Sequence, residues 1–423
     1  MSVQRERAIL VACLLPEYTA DPHDPLSELR SLADTAGAIV ADEVIQKRTR
    51  PDAGTFVGSG KVEEIRNRAA AVGADVVIFD NDLSPSQIAN IEQVVGRKVL
   101  DRSELILDIF AARARTHEAK LQVGLAQLEY TYPRLRAMWS HLERIVGGAP
   151  TGIGTRGPGE QQLEIDRRIV QRKKAELKRQ IARIQGRKTR EVEARNQDFF
   201  TVGLVGYTNA GKSTLFNTLT GDAAYADDKL FATLSTRTRK WNLGGGDTVM
   251  LSDTVGFVRD LPHHLVASFR ATLEEAVHGD LLLLVLDVAD PRAAQQLQTV
   301  QQVLDEIGAA QQPRILVLNK VDKLDHPTDL TAFQQQYPDS VTLSARTGRG
   351  VDQLVERVRQ AMRGQSRELT IHLDAADGKA IHFLENRGRV LDRRYEDNRV
   401  AMRVSIGSRQ LDQLRAMGTS ARW

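Results

Sequence analysis

"GYTNAGKS", Gly206 to Ser213, decides how the middle of this chain folds. The apolar run Thr201–Val205 leads into it and a helical pattern follows it. A glycine-bearing turn between a strand and a helix is the setting a phosphate-binding loop requires. Gly206 and Gly211 let backbone N–H groups curl around a phosphate, Lys212 reaches its oxygens, and Ser213 offers a hydroxyl to Mg²⁺. Asn209, Ala210 and Thr214 complete the expected contacts of this loop. The surrounding strands are Thr201–Val205, Thr248–Asp253, Leu281–Asp287, Ile315–Leu318 and Ser340–Leu343. Runs such as "LLLLVLDV" are continuous rather than alternating, as expected of parallel strands buried on both faces.

Three further motifs follow in order, each at a strand end. "DTVG", Asp253 to Gly256, places Asp253 to hold Mg²⁺ through water and the Gly256 N–H to bond a γ-phosphate. "NKVD" supplies Asn319, Lys320 and Asp322. The Asp322 carboxylate matches the N1–H and N2 amine of guanine, whereas adenine leaves it unpaired, and such a site discriminates strongly. "SAR", Ser344, Ala345 and Arg346, closes the base pocket, with the Ala345 N–H facing the base. GTP is therefore the expected nucleotide. Thr233 in "LFATLSTRTR" is the expected switch threonine on Mg²⁺ and the γ-phosphate, with Thr236 and Thr238 as nearby competitors. Lys212, Thr233 and Gly256 are the expected catalytic residues, and Ser213, Thr233 and Asp253 the expected Mg²⁺ set. Phe257 stands where a polar, water-orienting side chain would be useful. A backbone group, an ion or a partner must then position the water.

The rest of the chain shows what this module serves. At 423 residues, with 41% apolar and 27% charged residues, several globular domains are expected. The single cysteine, Cys13, excludes an intrachain disulfide and points to a reducing compartment. No apolar run approaches the ~18 residues of a membrane span, so the chain is expected in the cytoplasm, with at most loose membrane association.

Residues 1–108 alternate strands ("AILVACLL", "AIVADEVI", "ADVVIFD", "RKVLD") with helices, which predicts a small α/β domain. Its "GSGK", Gly58 to Lys61, lacks an earlier glycine and a following Ser/Thr, and reads as a turn with a helix start. Residues 109–197 are helical. Leu121, Leu125, Leu128, Tyr132, Leu135, Trp139 and Leu142 recur every three or four residues, and Leu163, Val170, Leu177 and Ile184 every seven, with Ile181 in support. That pattern predicts an antiparallel coiled-coil hairpin, kinked at Pro133. About thirty residues per arm would project roughly 40–50 Å. Its tip, 147–162, holds six glycines and two prolines around Arg156. From Arg167 to Arg195, twelve Lys or Arg stand against three Glu, a balance suited to a polyanion. Arg156, Arg167, Arg168, Arg172, Lys173 and Lys174 are the expected RNA contacts. Residues 198–362 form the P-loop domain, and 363–423 read strand–helix–strand–strand–helix, a small α+β domain.

Taken together, "FVGSGKVEEI", "LSPSQIANIE", "DRSELILDIFAARARTHEAKLQVGLAQLEYTYPRL", "GPGEQQLEIDRR", "GYTNAGKST" and "DTVGFVRDLP" resemble the bacterial HflX GTPases over nearly the whole chain. The G motifs are shared with many GTPases; the hairpin segments are much more specific. The resemblance implies GTP hydrolysis stimulated by ribosomes, binding to the large ribosomal subunit and its rRNA, and splitting of stalled or idle ribosomes. It implies that the hairpin tip reaches towards the RNA active centre. ATP use by the N-terminal domain, linked to the family, gains little physical support from the incomplete "GSGK". Gln161, where the family usually has Thr, and the "STRTR" stretch, Ser235 to Arg239, depart from the family pattern. By likeness of one loop position to other GTPases, Asn209 is also expected to help hold K⁺. A monomer is expected. The alternatives are a GTPase acting on another RNA or a ribosome precursor, and a GTP-gated RNA-binding module with negligible turnover.

Overall fold

The computed structural model describes residues 5–16, 18, 21, 23–145, 158–221, 230–231, 236–259, 279–324, 328–364, 366–396 and 398–423. Thr233, Arg156 and the side chain of Arg167 lie outside the described residues. The chain forms two compact units: 1–186 with 227–235 and 255–272, and 187–226 with 236–254 and 273–423.

The first unit is built on a parallel sheet of β1 (Arg7–Leu14), β2 (Ile39–Lys47), β3 (Val76–Phe79) and β4 (Lys98–Leu100), in the order β2-β1-β3-β4. Side chains alternate across a strand, so β1 feeds two cores. Ala8, Leu10 and Ala12 pack with α1 (Ser27–Ala36) and α4 (Arg102–Arg113). Ile9, Val11 and Cys13 pack with α2 (Ser59–Val72) and α3 (Pro85–Val95). Local signals set the helix ends. Ser84 and Gln87 form a reciprocal capping box ahead of Pro85, and Gly96 closes α3 in the left-handed region. "GSGK" is the start of α2, with Gly58 as its N-cap. The boundary expected at 108 falls inside α4, which packs on the sheet.

Two helices follow, α5 (His117–Ile145) and α6 (Pro158–Asp198). α5 runs unbroken through Pro133, so the proline removes one backbone donor without ending the helix. Leu121 and Leu125 of α5 pack against Leu177, Ile181 and Ile184 of α6, the seam that the leucine spacing predicts. Pro158 opens α6, since a proline suits the first helical turn. Residues 158–162, expected in the tip loop, are therefore helical.

The second unit centres on a six-stranded sheet, β10-β9-β8-β5-β7-β6. Its strands are β5 (Thr201–Gly206), β6 (Arg237–Gly244), β7 (Asp247–Asp253), β8 (Leu281–Asp287), β9 (Arg314–Asn319) and β10 (Val341–Thr342). All pair in parallel except β6, which joins β7 antiparallel at the edge. The expected parallel-type sheet is present, with β6 as one further strand at its edge that the sequence reading does not include. Of the eight residues of β6 only Trp241 and Leu243 are buried, and a largely exposed edge gives a weaker signal than a buried apolar run. Helices α7 (Lys212–Thr220), α8 (Ala293–Glu306), α9 (Thr328–Gln336) and α10 (Val351–Gly364) join these strands. The chain ends in an antiparallel sheet of β11 (Ser366–Asp374), β13 (Arg399–Gly407) and β12 (Arg389–Glu396), with α11 (Gly378–Arg387) and α12 (Ser408–Ala416). Leu384 and Leu414 of those helices pack on Ile371, Met402 and Val404.

Candidate nucleotide-binding site

The site collects at the C-terminal ends of β5, β7 and β9, where an open α/β sheet offers its crevice. β5 ends at Gly206, where an added Cβ would sit 2.3 Å from the Val285 carbonyl oxygen, so only glycine fits. Asn209 turns the loop at φ +60°, a conformation asparagine tolerates. At Gly211, φ is +93° and an added Cβ would stand 2.3 Å from Asn319 Nδ2. The loop then enters α7 at Lys212. Lys212 is buried, and its Nζ donates to the carbonyls of Gly206 (3.1 Å) and Tyr207 (2.7 Å). Burial pushes its pKa down to about 8; the Asp253 charge opposes the fall and Lys320 adds to it. Thr214 follows within the first turn of α7, half-buried.

Ser213 Oγ donates to Asp253 Oδ2 at 2.8 Å, so a hydroxyl on α7 and a carboxylate at the end of β7 meet at one point. Oxygen donors of this kind suit a hard dication that keeps several waters, which is the chemistry of Mg²⁺. The site fits Mg²⁺ on that ground. Thr254 is wholly buried and donates to the Leu204 carbonyl at 2.7 Å, pinning the strand end. Gly256 and Phe257 are buried, and residues 255–259 group with the first unit. Phe257 is 2% exposed, a buried hydrocarbon that cannot orient a water. Of the competitors to Thr233, Thr238 shares a hydrogen bond with Ser252 (3.1 Å) on the β6–β7 pair.

Asn319 joins two loops. Its Nδ2 donates to the Ala210 carbonyl (2.8 Å), and its Oδ1 accepts the Ala345 N–H (2.9 Å). The Ala345 N–H, expected to face the base, is thus a buried donor satisfied by a carboxamide in this structure. Thr218 of α7 reaches the other side of Ala345, donating to its carbonyl at 2.7 Å. Lys320 sits at φ +65°, and its Nζ pairs with Asp287 at 2.6 Å. Asp322 is exposed; the Ser344 hydroxyl beside it holds its carboxyl below the usual range, helped by Arg346 and Lys323. Arg346 is exposed at the same edge. Asp287 and Thr218 were not singled out in the sequence. Asp287 is nevertheless visible as the acid that closes "LLLLVLD".

The basic arm is ordered in a way that its charge count hides. Arg168, Arg172, Arg179, Arg183, Arg187 and Arg190 are exposed on α6, and their spacings of four, seven, four, four and three keep them on one face. Val170, Leu177, Ile181 and Ile184 lie on the opposite face, three of them at the seam with α5. Lys173 is exposed, and Lys174 is half-buried. It pairs with Glu129 of α5 at 2.9 Å, as does Lys178 at 3.2 Å, and so closes the hairpin.

A second charged cluster, absent from the motif reading, lies within the first unit. Arg102 and Arg259 share Asp80: Arg102 Nη1 donates to Oδ1 at 2.6 Å and Arg259 Nη2 to Oδ2 at 2.5 Å. Glu28 takes Arg102 at 2.8 Å, and Tyr18 donates its hydroxyl to Asp80. Burial and the Asp80 charge push the Tyr18 hydroxyl far up. Burial works against the Arg259 charge, but Asp80 and Glu28 outweigh it and its pKa rises.

A phosphate loop entering a helix at its lysine, a hydroxyl–carboxylate pair for Mg²⁺, and an Asn-Lys-x-Asp loop braced on the phosphate loop define a P-loop GTPase. Family models agree along the chain: "GTP-binding GTPase N-terminal" over residues 23–111, "GTP-binding GTPase Middle Region" over 113–195, "50S ribosome-binding GTPase" over 201–320 and "HflX C-terminal domain" over 329–422. The GTPase HflX of Lacrimispora saccharolytica is 41% identical over 409 residues, 95% of this chain and 94% of that protein. The GTPase HflX of Escherichia coli is 43% identical over 377 residues, 88% of this chain and 87% of that one. Among solved structures, a GTP-binding protein from Sulfolobus solfataricus in complex with GDP is 25% identical, with 84% of this chain and 98% of that one covered and a TM-score of 0.44. The chain belongs to the HflX family of GTPases: it binds GTP and GDP and hydrolyses GTP. Among the described residues, no helix is long and apolar enough to cross a membrane.

Proposed function

We propose that this GTPase binds the large ribosomal subunit and splits stalled or idle ribosomes. The observation that carries the reading is the arginine face of α6, set opposite the apolar seam with α5. A helix with a coiled-coil seam on one side and six arginines on the other presents an array of phosphate contacts at fixed spacing. The description "50S ribosome-binding GTPase" for the model matching residues 201–320 supports the large subunit as the polyanion. Arg168, Arg172 and Lys173 are its proposed contacts on the arm, with Arg156 at the tip.

In the nucleotide site, the Lys212 ammonium stands against the β/γ oxygens and stabilises charge developing on them. Asp322 selects guanine, and Asn319 holds the phosphate loop and the Ser344–Arg346 loop in register. Ser213, Asp253 and Thr233 would hold Mg²⁺, which neutralises phosphate charge when bound. The Gly256 N–H is the proposed donor to the γ-phosphate. With Phe257 buried, this chain lacks a polar side chain for the water at that position. The partner supplies the missing group, alone or together with a K⁺ held at Asn209, so hydrolysis is tied to the ribosome.

Sedimentation with purified subunits tests this reading. Full-length protein with a non-hydrolysable GTP analogue is expected to co-sediment with large subunits, and less so with GDP. Deleting 147–162 should abolish splitting while nucleotide binding persists. Equal or stronger binding to precursor particles would instead favour an assembly role.

A further inference from the structure

We propose that Arg259 is a positioning residue that carries the nucleotide state of the Asp253–Gly256 loop into the helical arm. The proposal rests on the reading of that loop as the γ-phosphate sensor. Arg259 lies three residues beyond Gly256, a tether of at most about 10 Å. It is 7% exposed and is gripped at two points. Its guanidinium donates to Asp80, and its own carbonyl accepts Arg102 Nη2 at 3.1 Å. Tyr18 lies beneath the guanidinium, 4.9 Å from ring centre to carbon. Val255 and Val258 on either side of Phe257 pack into the same core as Ile106 and Phe110 of α4.

From this node the contacts run on to the arm. Arg102 is the first residue of α4, and Asp101 before it caps that helix through the Glu104 N–H at 2.9 Å. The same Asp101 Oδ1 accepts the Tyr130 hydroxyl of α5 at 2.5 Å. Displacing Arg259 therefore acts on Arg102, whose backbone is continuous with the cap that holds α5. Two guanidiniums and two carboxylates out of water make this cluster all-or-none. Half of it cannot be broken without leaving a buried charge uncompensated. A packed element with two discrete arrangements is what coupling between distant sites requires. A purely structural staple would lower stability when cut, yet leave the response of α5 to nucleotide unchanged.

Hydrogen exchange of the full-length protein, with Mg²⁺ and either GDP or a non-hydrolysable GTP analogue, separates the two. No ribosome is needed, so failure of the large-subunit reading does not enter. Amides of α4 and α5 up to residue 132 are expected to differ between the nucleotides by about fivefold or more, the lower range of ordinary allosteric coupling. Arg259→Met should bring that ratio to about one while the affinity for fluorescent GDP and GTP analogues changes less than about threefold. If Arg259→Met fails to fold, Arg259→Lys, which keeps the charge and loses the fork, should at least halve the ratio. No difference in the unsubstituted protein overturns the proposal. So does a full difference in either variant.

Discussion

Lys212 makes nucleotide binding a proton-linked event. Its ammonium is buried against the Gly206 and Tyr207 carbonyls, and burial pulls its pKa to about 8. A bound β/γ-phosphate favours the charged form, so binding above neutrality must draw a proton onto Nζ. With a free-protein pKa of about 8 and the bound lysine held fully charged by the phosphates, the fraction to be protonated is about 0.1 at pH 7, 0.5 at pH 8 and 0.9 at pH 9. Integrated from pH 7 to pH 9, GDP affinity is expected to fall about tenfold, or about 1.4 kcal/mol. The stability of the ligand-free protein runs the other way. The unfolded lysine, near 10.4, binds more protons between about pH 8 and 10.4, so this group's burial penalty is full below pH 8 and relaxes above it. Titration calorimetry in two buffers of different ionisation enthalpy measures the uptake directly. About half a proton taken up at pH 8 is expected. Affinity independent of pH from 7 to 9, with no uptake at pH 8, would refute the reasoning.

Other consequences follow from the same geometry. Asn319→Ala strips partners from the Ala210 carbonyl and the Ala345 N–H; at about 1 kcal/mol or more each, nucleotide affinity should fall roughly thirtyfold by equilibrium fluorescence. Replacing Arg172, Arg179 and Arg183 with alanine should reduce the slope of log affinity for large subunits against log salt by about two to three, with intrinsic GTP turnover unchanged. Turnover in K⁺ should exceed that in Na⁺, and Asn209→Ala should erase the difference; equal rates in the two salts would remove K⁺ from the account.

Much of this molecule is legible in its sequence because local rules and buried runs agree. Thr201–Val205, "LLLLVLD" and "RILVL" announce parallel strands buried on both faces. Ser84-Pro85 and Asp101 mark helix starts by capping chemistry. The nucleotide motifs are contiguous, so their order carries the site. Three things were not legible. β6 is an edge strand with one open face, and its charged stretch "RTRK" gives no buried period. Lys174 reads as one more basic residue until the hairpin brings Glu129 beside it. The Asp80–Arg102–Arg259 cluster unites residues 22 and 179 positions apart. Each member alone looks like a surface charge, and no spacing rule connects them.

The central claim is that catalysis here is completed by the ribosome, because the position after Gly256 is filled by the buried Phe257. The direct measurement is GTP turnover by the full-length protein, with and without saturating large subunits, beside Phe257→Gln. Slow intrinsic turnover, stimulated at least about a hundredfold by large subunits, is predicted; groups supplied in trans to other GTPases give about 10³–10⁵. Equal turnover with and without large subunits would contradict the account.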